Sequence, residues 1–368
     1  MSAPYRPLSQ DRIEGVIYGQ AIGDARGLPM EFRSSAFIRS SGHQWGYQDV
    51  HRHGKLAWDA GEFSDDTERA IALLDGYLSG RDEGRDELLD PDELICIDRL
   101  VRWLDTDARG AGNHTIKVLA NTYCLVEPFT VSREAWEETN GVSAPNGAVM
   151  GTSYVGIMRP WDLDWTESAA VHCARLTHWD LRCVAGSVAV SVLIAGLVSG
   201  LEPWDAVEEA VSRAGNYDPN ARELLKVYGL PISALELDEG LPADGSMPKV
   251  PVPIGYTWKC ARAAFWAFYQ LDRDLDPVYI HGQFLPILDQ ILSAGGDTDT
   301  NGAVAAAVLG AAMGRGQVPD DAVEGLVHKE RLETLLSRLA RYHDASREGR
   351  VLQPLTPRPG TLQIGDRT

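Results

Sequence analysis

LRCVAGSVAVSVLIAGLV, residues 181–198, decides the fold. From Val184 onward it is the most apolar stretch in the chain. Ser187 and Ser191 interrupt it, and it falls short of the roughly 20 residues that span a bilayer, so it reads as a helix buried in a protein core. Its small residues, Ala185, Gly186, Ala189, Ala195 and Gly196, have a counterpart in Ala303, Ala305, Ala306, Ala307 and Gly310. Small side chains let helix axes approach closely, as the centre of a multi-helix body requires.

Helical spacing continues outward in both directions. Ser9 caps a helix with Ile13, Val16, Ile17 and Ala21 on one face, expected to stop near Gly23. Ser64 is a second cap, ahead of a stripe of Ile71, Leu74, Tyr77 and Leu78, and Asp90 and Pro91 open a third helix burying Leu94, Ile97, Val101 and Leu104. Further helices are predicted over 113–124, 131–139, 166–177, 203–214, 219–228, 256–270, 274–293, 297–313 and 319–344. Period-two alternation is nearly absent. The expected fold is all-α, a compact orthogonal multi-helix single domain over residues 1–349, with an irregular Pro-rich tail at 350–368. Residues 34–62 and 239–255 resist a helical reading and are expected to be ordered loops laid over the body.

Composition narrows the function. The 368 residues carry 34 Lys+Arg against 53 Asp+Glu, a formal charge of −19, and no basic cluster, so nucleic acid is not an expected partner. Cys96, Cys124, Cys173, Cys183 and Cys260 are odd in number, scattered and without a C-x-x-C pair; they read as reduced core thiols. Met1 to Asp11 are polar, with no apolar signal core, and the expectation is a cytoplasmic protein with no membrane contact.

Two acidic turns stand where helices begin: Phe63-Ser64-Asp65-Asp66-Thr67, and Gly295-Gly296-Asp297-Thr298-Asp299-Thr300-Asn301. A helix start welcomes one or two acids as caps. The second turn, however, lies between a Gly pair and an Ala-rich helix, where close packing would leave Asp297 and Asp299 poorly hydrated, and unpaired buried carboxylates cost several kcal/mol. Hard divalent cations take such oxygen ligands, and Asp65, Asp66, Asp297 and Asp299 with Ser64 and Thr300 could hold two ions about 4 Å apart. Spacing alone leaves capping and metal binding both standing. A third motif, Gly23-Asp24-Ala25-Arg26-Gly27-Leu28-Pro29-Met30-Glu31-Phe32, ends a helix and presents Glu31 on a turn.

Taken in order, G-D-x-x-G-x-x-x-E, S-D-D-T and G-G-D-T-D-T-N resemble the ADP-ribosylglycohydrolase family. Intermediate blocks agree: Gly110-Ala111-Gly112-Asn113-His114-Thr115, Asn146-Gly147-Ala148-Val149-Met150, and Thr177-His178. The blocks span roughly residues 12 to 314. The resemblance implies an all-α enzyme with two Mg²⁺ or Mn²⁺ ions that cleaves the glycosidic bond between ADP-ribose and an acceptor. It implies metal ligands at Ser64, Asp65, Asp66, Asp297, Asp299 and Thr300, and puts the reaction on Glu31, Asp65 and Asp299. It implies substrate contacts at Asn113, His114, Asn146, Gly147 and His178. His114 reads equally as a helix-start residue, and Gly151 stands where such proteins commonly have Arg. Expected partners are an ADP-ribosylated protein, modified on arginine or else on serine, or a small ADP-ribose conjugate. A hydrolase of a free ADP-ribose derivative or nucleotide, and a non-catalytic ADP-ribose-binding relative, are the rival readings. Trp103, Trp136 and Trp266 fit core stripes, while Trp45 and Trp58 are candidates to wall the cleft.

Overall fold

The computed structural model describes residues 8–47, 51–53, 56–82, 93–271 and 282–347. In chain order its helices are α1 (Gln10–Gly27), α2 (Ser35–Ser41), α3 (Asp65–Asp82), α4 (Glu93–Asp107), α5 (Asn113–Leu119), α6 (Pro128–Glu137), α7 (Gly147–Thr152), α8 (Val155–Met158), α9 (Leu163–Arg175), α10 (Leu181–Val198), α11 (Pro203–Ala214), α12 (Ala221–Leu224), α13 (Thr257–Tyr269), α14 (Phe284–Ser293), α15 (Thr298–Met313), α16 (Asp320–Glu324) and α17 (Lys329–Arg347). Two short antiparallel pairs accompany them: β1 (Arg33–Ser34) with β4 (Gly295–Gly296), and β2 (His51–His53) with β3 (Leu56–Trp58).

The apolar run at 181–198 is α10, buried from Cys183 to Val198 and packed on α7, α8, α9, α11, α13 and α15. Ser191, which breaks the apolar sequence, gives its hydroxyl to the Thr152 carbonyl at 2.8 Å, so the polar residue ties α10 to the end of α7 at no unpaired cost. All five cysteines are free and buried, as expected.

The most extensive helix pair is α1 against α15. Gly15, Gly19, Gly23 and Gly27 recur every four residues along α1, and a methyl on any of them would overlap the backbone of α15 or the turn behind it, at Gly310, Ala306, Gly302 and Thr298 respectively. Four-residue spacing keeps all four on one face of the helix. Ser9 caps α1 as expected, accepting from Arg12 N at 3.3 Å.

Several expectations are corrected. The first helix does not stop near Gly23 but runs to Gly27, because Gly23 marks a close approach and not a C-cap. The segment 34–62 is not all loop: Ser34 caps α2 by accepting from Phe37 N, and β2 and β3 form a ribbon. The helix predicted over 319–344 is two, α16 and α17, interrupted where Val327 N turns aside to the Gly61 carbonyl at 2.9 Å and His328 takes φ 62°. Residues 219–228 hold only the single turn α12. The cap at Asp90 and Pro91, the first part of the 274–293 helix and the tail at 350–368 lie outside the described residues.

Candidate active site

The two acidic turns are brought together by α1. Asp24, one turn before its end, is fully buried and accepts four hydrogen bonds from the start of α3: from Ser64 N at 3.0 Å, Ser64 Oγ at 2.8 Å, Thr67 N at 3.0 Å and Thr67 Oγ1 at 2.7 Å. The cap expected of Ser64 therefore comes chiefly from Asp24, and the Ser64 hydroxyl is spent on Asp24 and on Asp66 Oδ2, 3.1 Å away. Gln20, one turn earlier, donates to the Asp66 carbonyl at 2.9 Å and the Met150 carbonyl at 3.0 Å, joining α3 to α7.

The second turn is set by a different device. Gly295 and Gly296 take φ of 75° and 86°, a region that side chains rarely adopt, and pair with Ser34 and Arg33. Phe32 N donates to the Gly296 carbonyl at 2.8 Å, which lays Glu31 beside the head of α15. Glu31, Asp297 and Asp299 each offer a carboxylate oxygen, and the three oxygens lie within 4.8 Å of one another. Asn146, immediately before α7, donates to Asp297 Oδ2 at 2.7 Å, and its own N–H is fixed by the Gly255 carbonyl at 2.9 Å.

Asp65, Asp66, Asp297, Asp299 and Thr300 are all buried. Burial and mutual repulsion hold the acids toward their protonated forms. Asp65 is raised well above the usual carboxylate range by desolvation, then by Glu31, Asp24 and Asp297. Asp66 is raised likewise by desolvation, then by Asp24, Asp65 and Asp297, and Asp299 by desolvation, then by Glu31, Asp66 and Asp297. Desolvation raises Asp297 and lifts Asp24 to about 6, in each case against hydrogen bonds that lower it. Asp66 Oδ1 is buried with no hydrogen-bond partner. An orphaned carboxylate oxygen inside an all-oxygen donor set fits a hard divalent cation, and the acidic cluster can hold one.

Around this centre the remaining residues divide. Gly147 faces His178: a Cβ there would lie 3.0 Å from His178 Nε2. The His114 ring sits 4.9 Å from that of His178, with its Nε2 3.0 Å from the Thr177 carbonyl, so His114 both opens α5 and joins this wall. Asn113 is exposed at the start of α5 and is not part of the cluster. Gly110, at φ 93°, abuts Asp65 Oδ1 and the Trp58 ring. Trp58 thus lies at the centre's edge, covered by Arg109 at 5.5 Å and buried. Trp45 instead donates to Ser293 Oγ on α14 at 2.8 Å. Trp103 and Trp266 are buried, whereas Trp136 is half-buried and donates to Asp180. Motif reading missed the part played by Asp24, the clamp around Arg69 and the Gly255 contact; of these only Asp24 carried a signal, as the acid of the G-D-x-x-G block.

Acid-bearing turns from two helix starts, opposed across a buried centre within an all-α body, define the class to which known proteins can be compared. The chain matches the ADP-ribosylglycohydrolase family over residues 6–349. It is 29% identical over 345 residues to an uncharacterised protein of Archaeoglobus fulgidus, covering 91% of this chain and 97% of that one. It is 23% identical over 332 residues to the ADP-ribosylarginine hydrolase Tri1 of Serratia proteamaculans, covering 90% and 79%. A solved ADP-ribosylglycohydrolase-related protein complex shares the fold at TM-score 0.60 and 24% identity, covering 90% of this chain and 98% of that one. The chain belongs to the ADP-ribosylglycohydrolase family and is a hydrolase of that kind.

Proposed function

We propose that the protein releases ADP-ribose from a modified acceptor side chain, arginine first and serine second, using two Mg²⁺ or Mn²⁺ ions held by Ser64, Asp65, Asp66, Asp297, Asp299 and Thr300. The observation that carries this reading is the gathering of Glu31, Asp297 and Asp299 within 4.8 Å, with Asp65 and Asp66 raised by burial and then by neighbouring acids that include Asp297, and with Asp66 Oδ1 lacking a partner. Relatives named ADP-ribosylarginine hydrolase support arginine as the acceptor. The cations would supply positive charge and a template for the hydroxyls of the ribose next to the scissile bond.

The chain's own residues do the rest. Asp24 and Gln20 hold the head of α3, and Asn146 holds Asp297, so the carboxylates meet with little reorganisation. Glu31 stands on the rim, half-buried, where it can take a proton from the attacking water or return one to the departing nitrogen or oxygen. Gly147 lets α7 approach His178 closely, since a Cβ there would stand 3.0 Å from Nε2.

The test is incubation with arginine- and serine-ADP-ribosylated proteins and with free ADP-ribose conjugates, with and without EDTA, following released ADP-ribose. Release from the arginine substrate that EDTA abolishes is expected. Turnover confined to small conjugates would replace the protein acceptor, and binding without turnover on every substrate would leave a non-catalytic relative.

A further inference from the structure

Arg69 lies on α3 one turn beyond Asp66, with 0% of its surface exposed. Its guanidinium donates to Thr115 Oγ1 at 3.1 Å and to Thr177 Oγ1, and its Nη2 is 3.4 Å from His178 Nδ1. These hydrogen-bond partners are all neutral. Burial pushes its pKa down to about 10, so it stays charged at neutral pH. Asp65 and Asp66, one turn earlier on the same helix, favour the charged form of Arg69 and offset part of the burial cost, while its hydrogen bonds are given to neutral groups.

Room for it is made by a residue with no side chain. A Cβ on Gly151 would stand 2.5 Å from Arg69 Nε and 2.8 Å from its Cδ, so the bare position admits the guanidinium stem. The glycine that departs from the family pattern is the floor on which Arg69 lies.

What those hydrogen bonds do is visible at His178. Guanidinium groups only donate. Thr177 Oγ1 accepts from Arg69 and lies 2.8 Å from His178 Nδ1, to which its hydroxyl can donate. Arg69 Nη2, which can only donate, is 3.4 Å from the same nitrogen, and this pairing favours an accepting Nδ1 with the ring proton on Nε2. That Nε2 is buried without a protein partner and faces the bare α-carbon of Gly147, next to the Asn146 that holds Asp297. The ring stays neutral, because desolvation, then Arg69, then His114 disfavour its charged form.

We propose that Arg69 is a positioning residue: acting through Thr177 across Gly151, it fixes His178 with the proton on Nε2 and so presents one donor over Gly147 to an oxygen of the bound nucleotide. The identity of that ligand rests on the ADP-ribose reading; the arrangement of the ring does not.

The experiment has two arms on the full chain. Nitrogen-15 spectra of the histidine rings report the tautomer in the wild type, Arg69→Met, Arg69→Lys and Gly151→Ala, with melting curves to confirm folding. Calorimetry with ADP-ribose, and kinetics on ADP-ribosyl-arginine, report binding and turnover. The wild type should show His178 protonated on Nε2 alone. Arg69→Met should give a tautomer mixture and raise the ADP-ribose Kd and the KM about tenfold, the loss of roughly one hydrogen bond, with kcat changed less. Gly151→Ala should reproduce this by displacing the guanidinium, while Arg69→Lys, which keeps a donor, should restore most of the Nε2 form. A wild-type ring protonated on Nδ1 overturns the proposal, as does a folded Arg69→Met or Gly151→Ala protein whose ring spectrum is unchanged. If no substrate is hydrolysed the functional reading fails, and the spectra still decide the role of Arg69. If Arg69→Met does not fold, Gly151→Ala and Arg69→Lys decide it.

Discussion

The turn at the head of α3 and the turn at the head of α15 present the same groups, two buried aspartates and a hydroxyl, yet they are held by opposite means. The first is secured by another buried carboxylate, Asp24, whose four hydrogen bonds add a negative charge beneath a site already full of them. The second is secured by neutral groups: two glycines in the left-handed region, a strand pairing and the Asn146 amide. The acids of both turns are raised by burial and those of the first also by Asp24, so the first turn is held at the cost of an added charge and the second by backbone geometry. Two turns of like composition can thus be fixed in place by different means.

The largest effect that would break this comparison comes from the acids themselves. Asp297→Ala and Asp66→Ala should each cut ADP-ribose release by more than about 10³-fold, since each removes a proposed ligand and the charge stabilisation it anchors. Full activity in either variant would show that its turn is dispensable. Next in size, Glu31→Gln should lower kcat by about 10²–10⁴-fold, with metal affinity, read by calorimetry, weakened less than in Asp297→Ala.

Smaller effects separate the supports. Asn146→Ala should weaken metal affinity or activity about 10–100-fold, as loss of a partner behind a ligand does. Asp24→Ala should cost about 1–3 kcal/mol in urea unfolding, because the Ser64 and Thr67 donors lose their acceptor in a buried place.

The smallest effect is on pH. Asp24 is raised to about 6, and Asp65, Asp66, Asp297 and Asp299 are raised as well. A folded-state acid raised above its unfolded value contributes stability that is complete below about pH 4 and is lost as pH rises through about 6. Metal-free protein should therefore melt a few degrees lower at about pH 7.5 than at about pH 5. Added Mn²⁺ or Mg²⁺ should reverse that order by pairing the ionised acids. A melting temperature indifferent to both pH and metal would mean that the acids are not electrostatically crowded.

What could be read from sequence follows the range of the physics involved. Helices α1, α10 and α15 were legible because caps and stripes are local. Helix α2, the ribbon of β2 and β3 and the break before α17 were not, since a few residues show no period and the break depends on Val327 reaching Gly61. The acids of the site were legible as residue types at helix starts. Their supports were not: Asn146 meets Asp297 across 151 positions, and Asp24 meets Ser64 across 40. Gly151 read only as a position where such proteins commonly have Arg, and the packed structure reveals Arg69 lying against it.

The glycine stripe on α1 makes that helix a ruler. Gly15, Gly19, Gly23 and Gly27 interlock with α15 at fixed intervals, and the last of them sits beside Thr298, whose hydroxyl donates to the Gly27 carbonyl at 2.7 Å at the very start of the helix that carries Asp299. Inserting one residue early in α1 would turn every later glycine by about 100° and slide it by about 1.5 Å, so no tick would meet its notch. Asp24 and Gln20 would rotate away from α3 in the same movement. Inserted residues in the surface loops should be absorbed, whereas one between Gly15 and Gln20 should misalign both acidic turns at once without touching either.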